Sequence, residues 1–97
     1  MTAKELLEAY TNGKRDFTGA DLSDTNLIGC DLSGAILIKA ELSGIIYNTE
    51  KGDSFGTGTN HSKVNLSGAI LIEASLSFAN LTGANFSGAN LTGAKIM

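Results

Sequence analysis

The segment around residue 54 holds residue types that often carry catalysis. Gly52-Asp53-Ser54-Phe55-Gly56 matches the G-x-S-x-G pattern of a serine nucleophile. That chemistry needs a strained strand-to-helix turn together with a distant histidine and acid. No alternating strand and helix pattern surrounds the motif, and the only histidine, His61, lies seven residues away. The pattern therefore favours a loop over a catalytic serine.

The same segment offers two weaker candidate sites. Gly56-Thr57-Gly58 is glycine-rich, like a phosphate-binding loop, but it lacks the following helix and the Lys-Ser/Thr ending of a P-loop. Asp53 and His61 would need further ligands to hold a metal. Cys30 lies two residues before Leu32, at a position that is usually a small residue in the repeat described below, and a thiol there serves as a small apolar group. We therefore predict no catalytic, cofactor-binding or metal-binding residues and no enzyme activity.

Composition and charge bound the class of protein. A chain of 97 residues has room for a single domain, residues 1–97, and 12 glycines with no proline suggest a periodic pattern. A net charge of −3 does not indicate direct nucleic-acid binding or a membrane partner. The single cysteine suits a reducing compartment, and Lys4, Glu5 and Glu8 interrupt any apolar leader. A cytoplasmic location is expected.

Apolar residues recur every five positions in two blocks, giving fourteen units. The residue two positions before each centre is alanine in nine units, and the residue two positions after it is glycine in eight. A period of five fits neither a helix nor a long strand, so the chain must turn once per unit. The centres are Phe17, Leu22, Leu27, Leu32, Leu37, Leu42 and Tyr47, then Leu66, Leu71, Leu76, Leu81, Phe86, Leu91 and Ile96.

Within one unit, the centre and the small residue two positions earlier share a face of a short extended segment. The residues beside the centre point outwards, and most of them are polar, as in Asp21-Leu22-Ser23 and Asn90-Leu91-Thr92. Glycine at the end of a unit tolerates the backbone angles of a corner. The pattern predicts a coiled ribbon around a narrow apolar core.

The units A-D-L-S-D, C-D-L-S-G, A-N-L-T-G and A-N-F-S-G closely resemble those of the pentapeptide-repeat family. The resemblance implies an all-β solenoid, a right-handed quadrilateral β-helix with four units per coil. Fourteen units would make about three and a half coils, stacked at the ~4.8 Å spacing of neighbouring strands. Short members of this kind are especially common in cyanobacteria.

Residues 1–14 depart from the repeat and are predicted to form an N-terminal α-helical cap. Thr2 and Glu5 have the spacing of a capping box, Ala3, Leu6, Leu7 and Tyr10 share one face, and Gly13 suits a helix stop. A solenoid needs its first coil covered, since an open core and free strand edges favour aggregation.

The repeats are predicted at 15–49 and 64–97, with an inserted loop at 50–63. A-I-L-I-K-A-E-L-S-G from residue 35 recurs as A-I-L-I-E-A-S-L-S-F from residue 69, an offset of 34. Subtracting the fourteen inserted residues leaves twenty, which is one coil of four units. Some family members carry a comparable insertion that opens with Tyr and contains Phe, and the resemblance assigns those places to Tyr47 and Phe55.

Two function classes follow from the resemblance. The first is a non-catalytic structural or protein-interaction module of unknown partner. The alternative is a DNA-mimicking regulator of a type II topoisomerase, since some family members resemble a DNA duplex in shape and charge. Glu73 and Lys95 are the only charged residues in 64–97, which gives no continuous acidic ladder. The acidic residues of the first coil are Asp16, Asp21, Asp24 and Asp31.

Two apolar surfaces are predicted to meet a protein partner or a second copy. Four isoleucines break the rule of polar residues outside and are expected to stack in adjacent coils, with Lys39 over Glu73 beside them. The alternatives are that the loop or the chain's own tail folds over them, or that β-branched residues simply suit a strand surface. The final coil is expected to be uncapped and available for end-to-end stacking. The first surface comprises Ile36, Ile38, Ile70 and Ile72, and the second comprises Leu91, Ile96 and Met97.

Overall fold

The computed structural model describes residues 1–23, 25–43, 45–48, 54–57, 63–77 and 79–96. The described residues include one α-helix, α1 (Ala3–Thr11), and one antiparallel pair of strands, β1 (Ile45–Asn48) and β2 (Ser54–Thr57). Most of the remaining described chain consists of five-residue units, joined side by side through single parallel bridges.

Helix α1 begins with the predicted capping box. The Glu5 amide donates to the Thr2 hydroxyl over 3.1 Å, and the Thr2 amide donates to the Glu5 carboxylate over 3.0 Å. These bonds satisfy amide donors that have no partner within a helix. The helix ends where Gly13 adopts a φ of 99°, confirming the predicted stop.

The apolar side of α1 lies against the solenoid core. Leu6 is fully buried within the same apolar cluster as Phe17 and Leu22. The Tyr10 hydroxyl donates to the backbone carbonyl of Ser33 over 2.6 Å, which ties the end of the helix to a unit of the repeat.

Parallel bridges between units confirm the predicted register. Asp16 pairs with Ile36, Ile36 with Ile70, and Ile70 with Asn90. The residue numbers in these pairs differ by 20, 34 and 20, as one four-unit coil and the insertion require. Phe17, Leu37, Leu71 and Leu91 therefore form one interior column, and the bridges of Asp21, Glu41, Ser75 and Lys95 place Leu22, Leu42, Leu76 and Ile96 in another.

The centres and small residues of the repeat fill the interior. Burial of this apolar surface is the main stabilising term available to a narrow solenoid. The fully or nearly fully buried residues are Leu6, Phe17, Leu22, Leu27, Leu32, Ala35, Leu37, Ala40, Leu42, Val64, Leu66, Ala69, Leu71, Ala74 and Leu76.

Corners of the coils use left-handed backbone angles. Gly34 and Gly68 have φ values of 71° and 67°, as the glycine at the end of a unit predicts. Among the corners that the structure describes, Lys39, Lys63 and Glu73 stand where other units have glycine, and each has a φ of 58°. The sequence pattern did not predict that these side chains would adopt an angle that favours glycine.

Near both bounds predicted for the insertion, described residues differ from the prediction. Ile45–Asn48, predicted as repeat, forms β1 and pairs with β2, with Tyr47 opposite Phe55 in the register. Lys63, predicted as loop, has corner geometry, and its amide donates to the carbonyl of Thr82 over 2.8 Å. The unit I-I-Y-N-T at 45–49 has an apolar centre in phase with the preceding units, so periodicity alone placed it in the repeat.

Candidate interaction surface

Four isoleucines lie together on one outer side of the solenoid, and we call Ile36, Ile38, Ile70 and Ile72 the isoleucine face. The bridge between Ile36 and Ile70 makes them direct neighbours. Ile38 and Ile72 occupy the same positions two residues later, where the Lys39 amide donates to the Ile72 carbonyl over 2.9 Å. The structure thus brings all four predicted residues together.

The isoleucine face has polar rows on both sides along the solenoid axis. Asp16 and Thr18 form the row before Ile36 and Ile38, through the bridge of Asp16 to Ile36. Asn90 and Thr92 form the row after Ile70 and Ile72. The four isoleucines are each half-buried, since neighbouring rows cover their flanks and leave their outer sides accessible.

An ion pair borders the isoleucine face at the corner. The Lys39 ammonium lies 3.9 Å from a Glu73 carboxylate oxygen, with the two side chains 68% and 59% exposed. The adjacent rows carry Gly19 and Gly93 at this corner, and the Glu73 side-chain stem lies over Gly93. An exposed pair at this separation contributes little stability of its own, so both charges remain available to a partner.

The end of the solenoid formed by units 79–96 exposes part of its interior, and we call it the end face. Leu81, Phe86 and Leu91 are half-buried. By contrast, Leu66 and Leu71, which lie one coil before Phe86 and Leu91, are buried. Ile96 is 51% exposed. Met97, the third predicted residue of this surface, lies outside the described residues.

The acidic side chains of the first coil are engaged in the turns of their own units. One carboxylate oxygen of Asp16 accepts hydrogen bonds from the Thr18 hydroxyl at 2.7 Å and the Thr18 amide at 3.0 Å. Asp21 is bound in the same way by Ser23, and Asp31 accepts from the Ser33 amide. These hydrogen bonds lower the pKa of all three carboxyl groups. Asp24 lies outside the described residues.

No described column of the solenoid is acidic along its length. The column of Asp21 continues as Glu41, Ser75 and Lys95, and that of Asp31 continues as Asn65 and Asn85. The column of Asp16 continues into the isoleucine face. The acidic residues therefore form a rim around one coil, and they stabilise the turns of that coil.

The motifs of the insertion lie largely outside the described residues. Ser54 and Thr57 are the ends of β2, while Asp53, His61 and the glycines at 52 and 58 lie outside the described residues. Among the residues that the structure does describe, no three His, Cys, Asp or Glu side chains cluster in a way that could hold a metal ion.

Cys30 is half-buried, less deeply than its inward repeat position predicted. The thiol lies 3.8 Å from the carbonyl oxygen of Ile28, and burial raises its pKa. A raised pKa disfavours the reactive thiolate, so the residue acts as a small apolar filler. Among the described helical segments, none combines the length and apolar character needed to cross a bilayer.

The chain matches a family model described as Pentapeptide repeats, in eight copies over residues 16–45 and 57–96. The gap between the matched ranges falls where the structure has the β1–β2 hairpin. No curated protein matches the chain in sequence.

Three solved structures of cyanobacterial proteins are similar to the chain. A pentapeptide repeat protein from Nostoc PCC 7120 is 35% identical, with 96% of this chain and 74% of that chain covered and a TM-score of 0.44. Rfr23 from Cyanothece 51142 is 32% identical, with coverages of 82% and 58% and a TM-score of 0.41. HetL, involved in heterocyst differentiation regulation in Nostoc sp. strain PCC 7120, is 25% identical, with coverages of 82% and 38% and a TM-score of 0.34.

Proposed function

Because the chain belongs to the pentapeptide-repeat family, whose fold is a right-handed quadrilateral β-helix, we propose that it is a non-catalytic protein-interaction module. Proteins of this family are generally structural modules without catalytic activity. The single observation that carries the proposal is the isoleucine face, where four apolar side chains stack at outward positions that are mostly polar on the other sides of the solenoid, with Ile28 as an isolated exception.

The preference of β-branched residues for strands does not account for this face. The equivalent positions of another side carry Asp31, Asn65 and Asn85, which make the same bridges without isoleucine. The interior is already filled by leucine and alanine, so the isoleucines are not needed to complete it. Contiguous apolar surface on a folded protein commonly marks a contact site, and we assign that role to the isoleucine face.

The end face is the second surface that we propose for a protein partner or another copy. Burial of Ile96 and the half-buried centres against a second solenoid would remove this apolar surface from water. The opposite end differs, since Leu6 of α1 is buried against the core there. We propose that α1 is a cap and that the units form about three and a half coils.

A reducing compartment such as the cytoplasm is the setting that we propose. Cys30 is a free, half-buried thiol. Chains that retain a single free cysteine suit compartments in which thiols stay reduced.

The isoleucine face makes the DNA-mimicking alternative the weaker one. Mimicry of a duplex requires acidic groups spaced along the solenoid, and the column that starts at Asp16 continues with two isoleucines. The Asp16 and Asp21 carboxylates are also held in local turns. We expect the protein to leave gyrase supercoiling unchanged, and inhibition at stoichiometric protein would favour the alternative.

Capture from a host extract with immobilised protein tests the interaction module. Wild type should retain a specific protein that Ile36→Lys with Ile70→Lys loses. The matched control is Glu41→Lys with Ser75→Lys, which adds at least as much positive charge at the same unit position on a neighbouring side. Circular dichroism establishes that each variant is folded. Equal capture by all three would contradict the assigned role of the isoleucine face.

A further inference from the structure

The isoleucine face is self-complementary along the solenoid axis. Its two middle rows carry the same pair of isoleucines, and its outer rows carry similar polar residues. The corner charges of the two middle rows are opposite, with Lys39 in one and Glu73 in the other. A surface that presents matched apolar rows and opposite charges related by a half-turn is suited to binding another copy of itself.

We propose that a second copy of this chain occupies the isoleucine face in a two-fold dimer, an inference that rests on the proposed function of that face. The two-fold axis runs parallel to the extended segments, between the row of Ile36 and the row of Ile70. This rotation exchanges the two middle rows. Each Ile36 then lies opposite the partner's Ile70, and each Lys39 lies opposite the partner's Glu73.

The outer rows support the same axis. It sets Asp16 opposite the partner's Asn90 and Thr18 opposite the partner's Thr92. The Asn90 amide oxygen already accepts from the Thr92 amide and hydroxyl, so its NH₂ group can donate outwards to the Asp16 carboxylate. Gly19 and Gly93 leave the corners beside the charges low, so the two copies can approach closely.

A two-fold axis along the solenoid would give no ion pair between the copies. That rotation sets each row opposite itself with its direction reversed, so the corner of Lys39 lies at the edge opposite to the partner's Lys39 and Glu73. The isoleucines could still meet, but the two charges would gain no partner across the interface. The positions of the two charges therefore select the axis that pairs Lys39 with the partner's Glu73.

The size of the isoleucine face sets the expected strength of the dimer. Four rows at ~4.8 Å and three residues at ~3.3 Å each give a side of roughly 10 by 20 Å. This is well below the ~800 Å² that each partner commonly buries in a stable complex. We therefore expect a weak dimer that forms as protein concentration rises and dissociates at high salt.

Charge reversal at the corner tests this arrangement by sedimentation equilibrium, with every protein carrying Ile96→Lys to remove the end face. Otherwise unchanged protein should approach twice 10.0 kDa as concentration rises. Lys39→Glu and Glu73→Lys should each weaken self-association by about tenfold or more, since like charges then oppose each other twice per dimer. Both substitutions are compatible with the backbone, because Lys and Glu already share a φ of 58° at these corners.

Mixing the two variants in equal amounts should restore the dimer. One chain then presents two carboxylates and the other two ammonium groups, so all contacts between chains are favourable. Neither chain regains its internal ion pair, so recovery on mixing reports a contact between chains. A mixture that associates no better than either variant alone would overturn the proposal.

The dimer and the proposed function fail in different ways. A monomer at all concentrations that still captures a host protein through the isoleucine face overturns the dimer alone. A dimer that survives Ile36→Lys with Ile70→Lys lies on another surface and overturns the dimer on this face. If that double variant keeps both self-association and capture of a host protein, the dimer and the proposed function are both overturned.

Discussion

Ile36 and Ile70, whose numbers differ by 34, are direct neighbours through a parallel bridge between adjacent coils. The bridge brings the buried residues that follow them, Leu37 and Leu71, into one interior column. In that column the Leu37 amide donates to the Ile70 carbonyl over 2.7 Å, and the Leu71 amide donates to the Asn90 carbonyl over 2.7 Å. The free energy lost on truncating a side chain of this column should therefore depend on how deeply that side chain is buried.

Truncation of Leu71 should cost far more than truncation of Leu91. Leu71→Ala removes a fully buried side chain and should lower the free energy of unfolding by about 2–5 kcal/mol. Leu91 lies in the same column but is half-buried, so Leu91→Ala leaves a site that water already reaches and should cost roughly half as much. Urea unfolding followed by circular dichroism measures both. Equal costs would mean that the end face is covered.

Removal of residues 45–58 should preserve the solenoid. The deletion removes fourteen residues, which include both strands of the hairpin. The separation of Ile36 and Ile70 along the chain then becomes twenty residues, which is one coil. The corner at Lys63 and its hydrogen bond to Thr82 are retained. Loop length enters closure entropy only logarithmically, so the unfolding midpoint should change little. A deleted chain without cooperative unfolding would show that the hairpin is needed for folding.

Acid should destabilise the protein through three aspartates. Hydrogen bonds from Thr18 and Ser23 lower the pKa of Asp16 and Asp21, and the Ser33 amide lowers that of Asp31. A carboxyl group whose pKa is lower in the folded than in the unfolded state stabilises the fold at pH values above its pKa in the unfolded state. This stability is lost as the pH falls through the pKa of the folded state. The urea concentration at the unfolding midpoint should therefore decrease at pH values below about 4.

Asparagine provides the matched variant for the pH experiment. Other units hold the same turn with asparagine. The side-chain oxygens of Asn65, Asn85 and Asn90 each accept from the backbone amide two residues later, over 2.9–3.1 Å. Asp16→Asn, Asp21→Asn and Asp31→Asn together should keep the turns and reduce the acid-dependent fall. An unchanged pH profile in the triple variant would assign acid sensitivity to other groups.

The end face should be responsible for end-to-end association. Ile96→Lys should reduce any association between ends, because it places a charge on apolar surface that would otherwise be buried. Ile28→Lys is the control, since Ile28 is 48% exposed and Ile96 is 51% exposed. Static light scattering over a concentration series reports both. If the two variants behave alike, the end face has no special role.

Much of the fold was predictable because the repeat is regular. The register of Phe17, Leu37, Leu71 and Leu91, the capping box of Thr2 and the stop at Gly13 all follow from spacing and residue type, and the structure confirms them. The ion pair of Lys39 and Glu73 also follows from the 34-residue offset. A strict period makes long-range neighbours computable from sequence alone.

The hairpin boundary and the charged corners were not predictable in the same way. Tyr47 fits a centre of the repeat by type and phase, yet it lies in β1 opposite Phe55, because hairpin pairing satisfies its backbone locally. Lys39, Lys63 and Glu73 adopt the corner angle without glycine, since stacking on adjacent rows determines the turn more strongly than residue type. For Lys39 and Glu73, the corner position in the repeat was the signal that could have indicated this.

Methyl NMR with selectively labelled isoleucine tests the central claim, that the isoleucine face is the contact surface. A concentration series, or titration with a captured partner, should shift the methyl resonances of Ile36, Ile38, Ile70 and Ile72. Ile28, which is exposed on another side, should stay unchanged and serves as the internal control. With Ile96→Lys in place to remove the end face, shifts confined to the four isoleucines are the predicted result. Contact that shifts Ile28 and leaves all four unchanged would contradict the account.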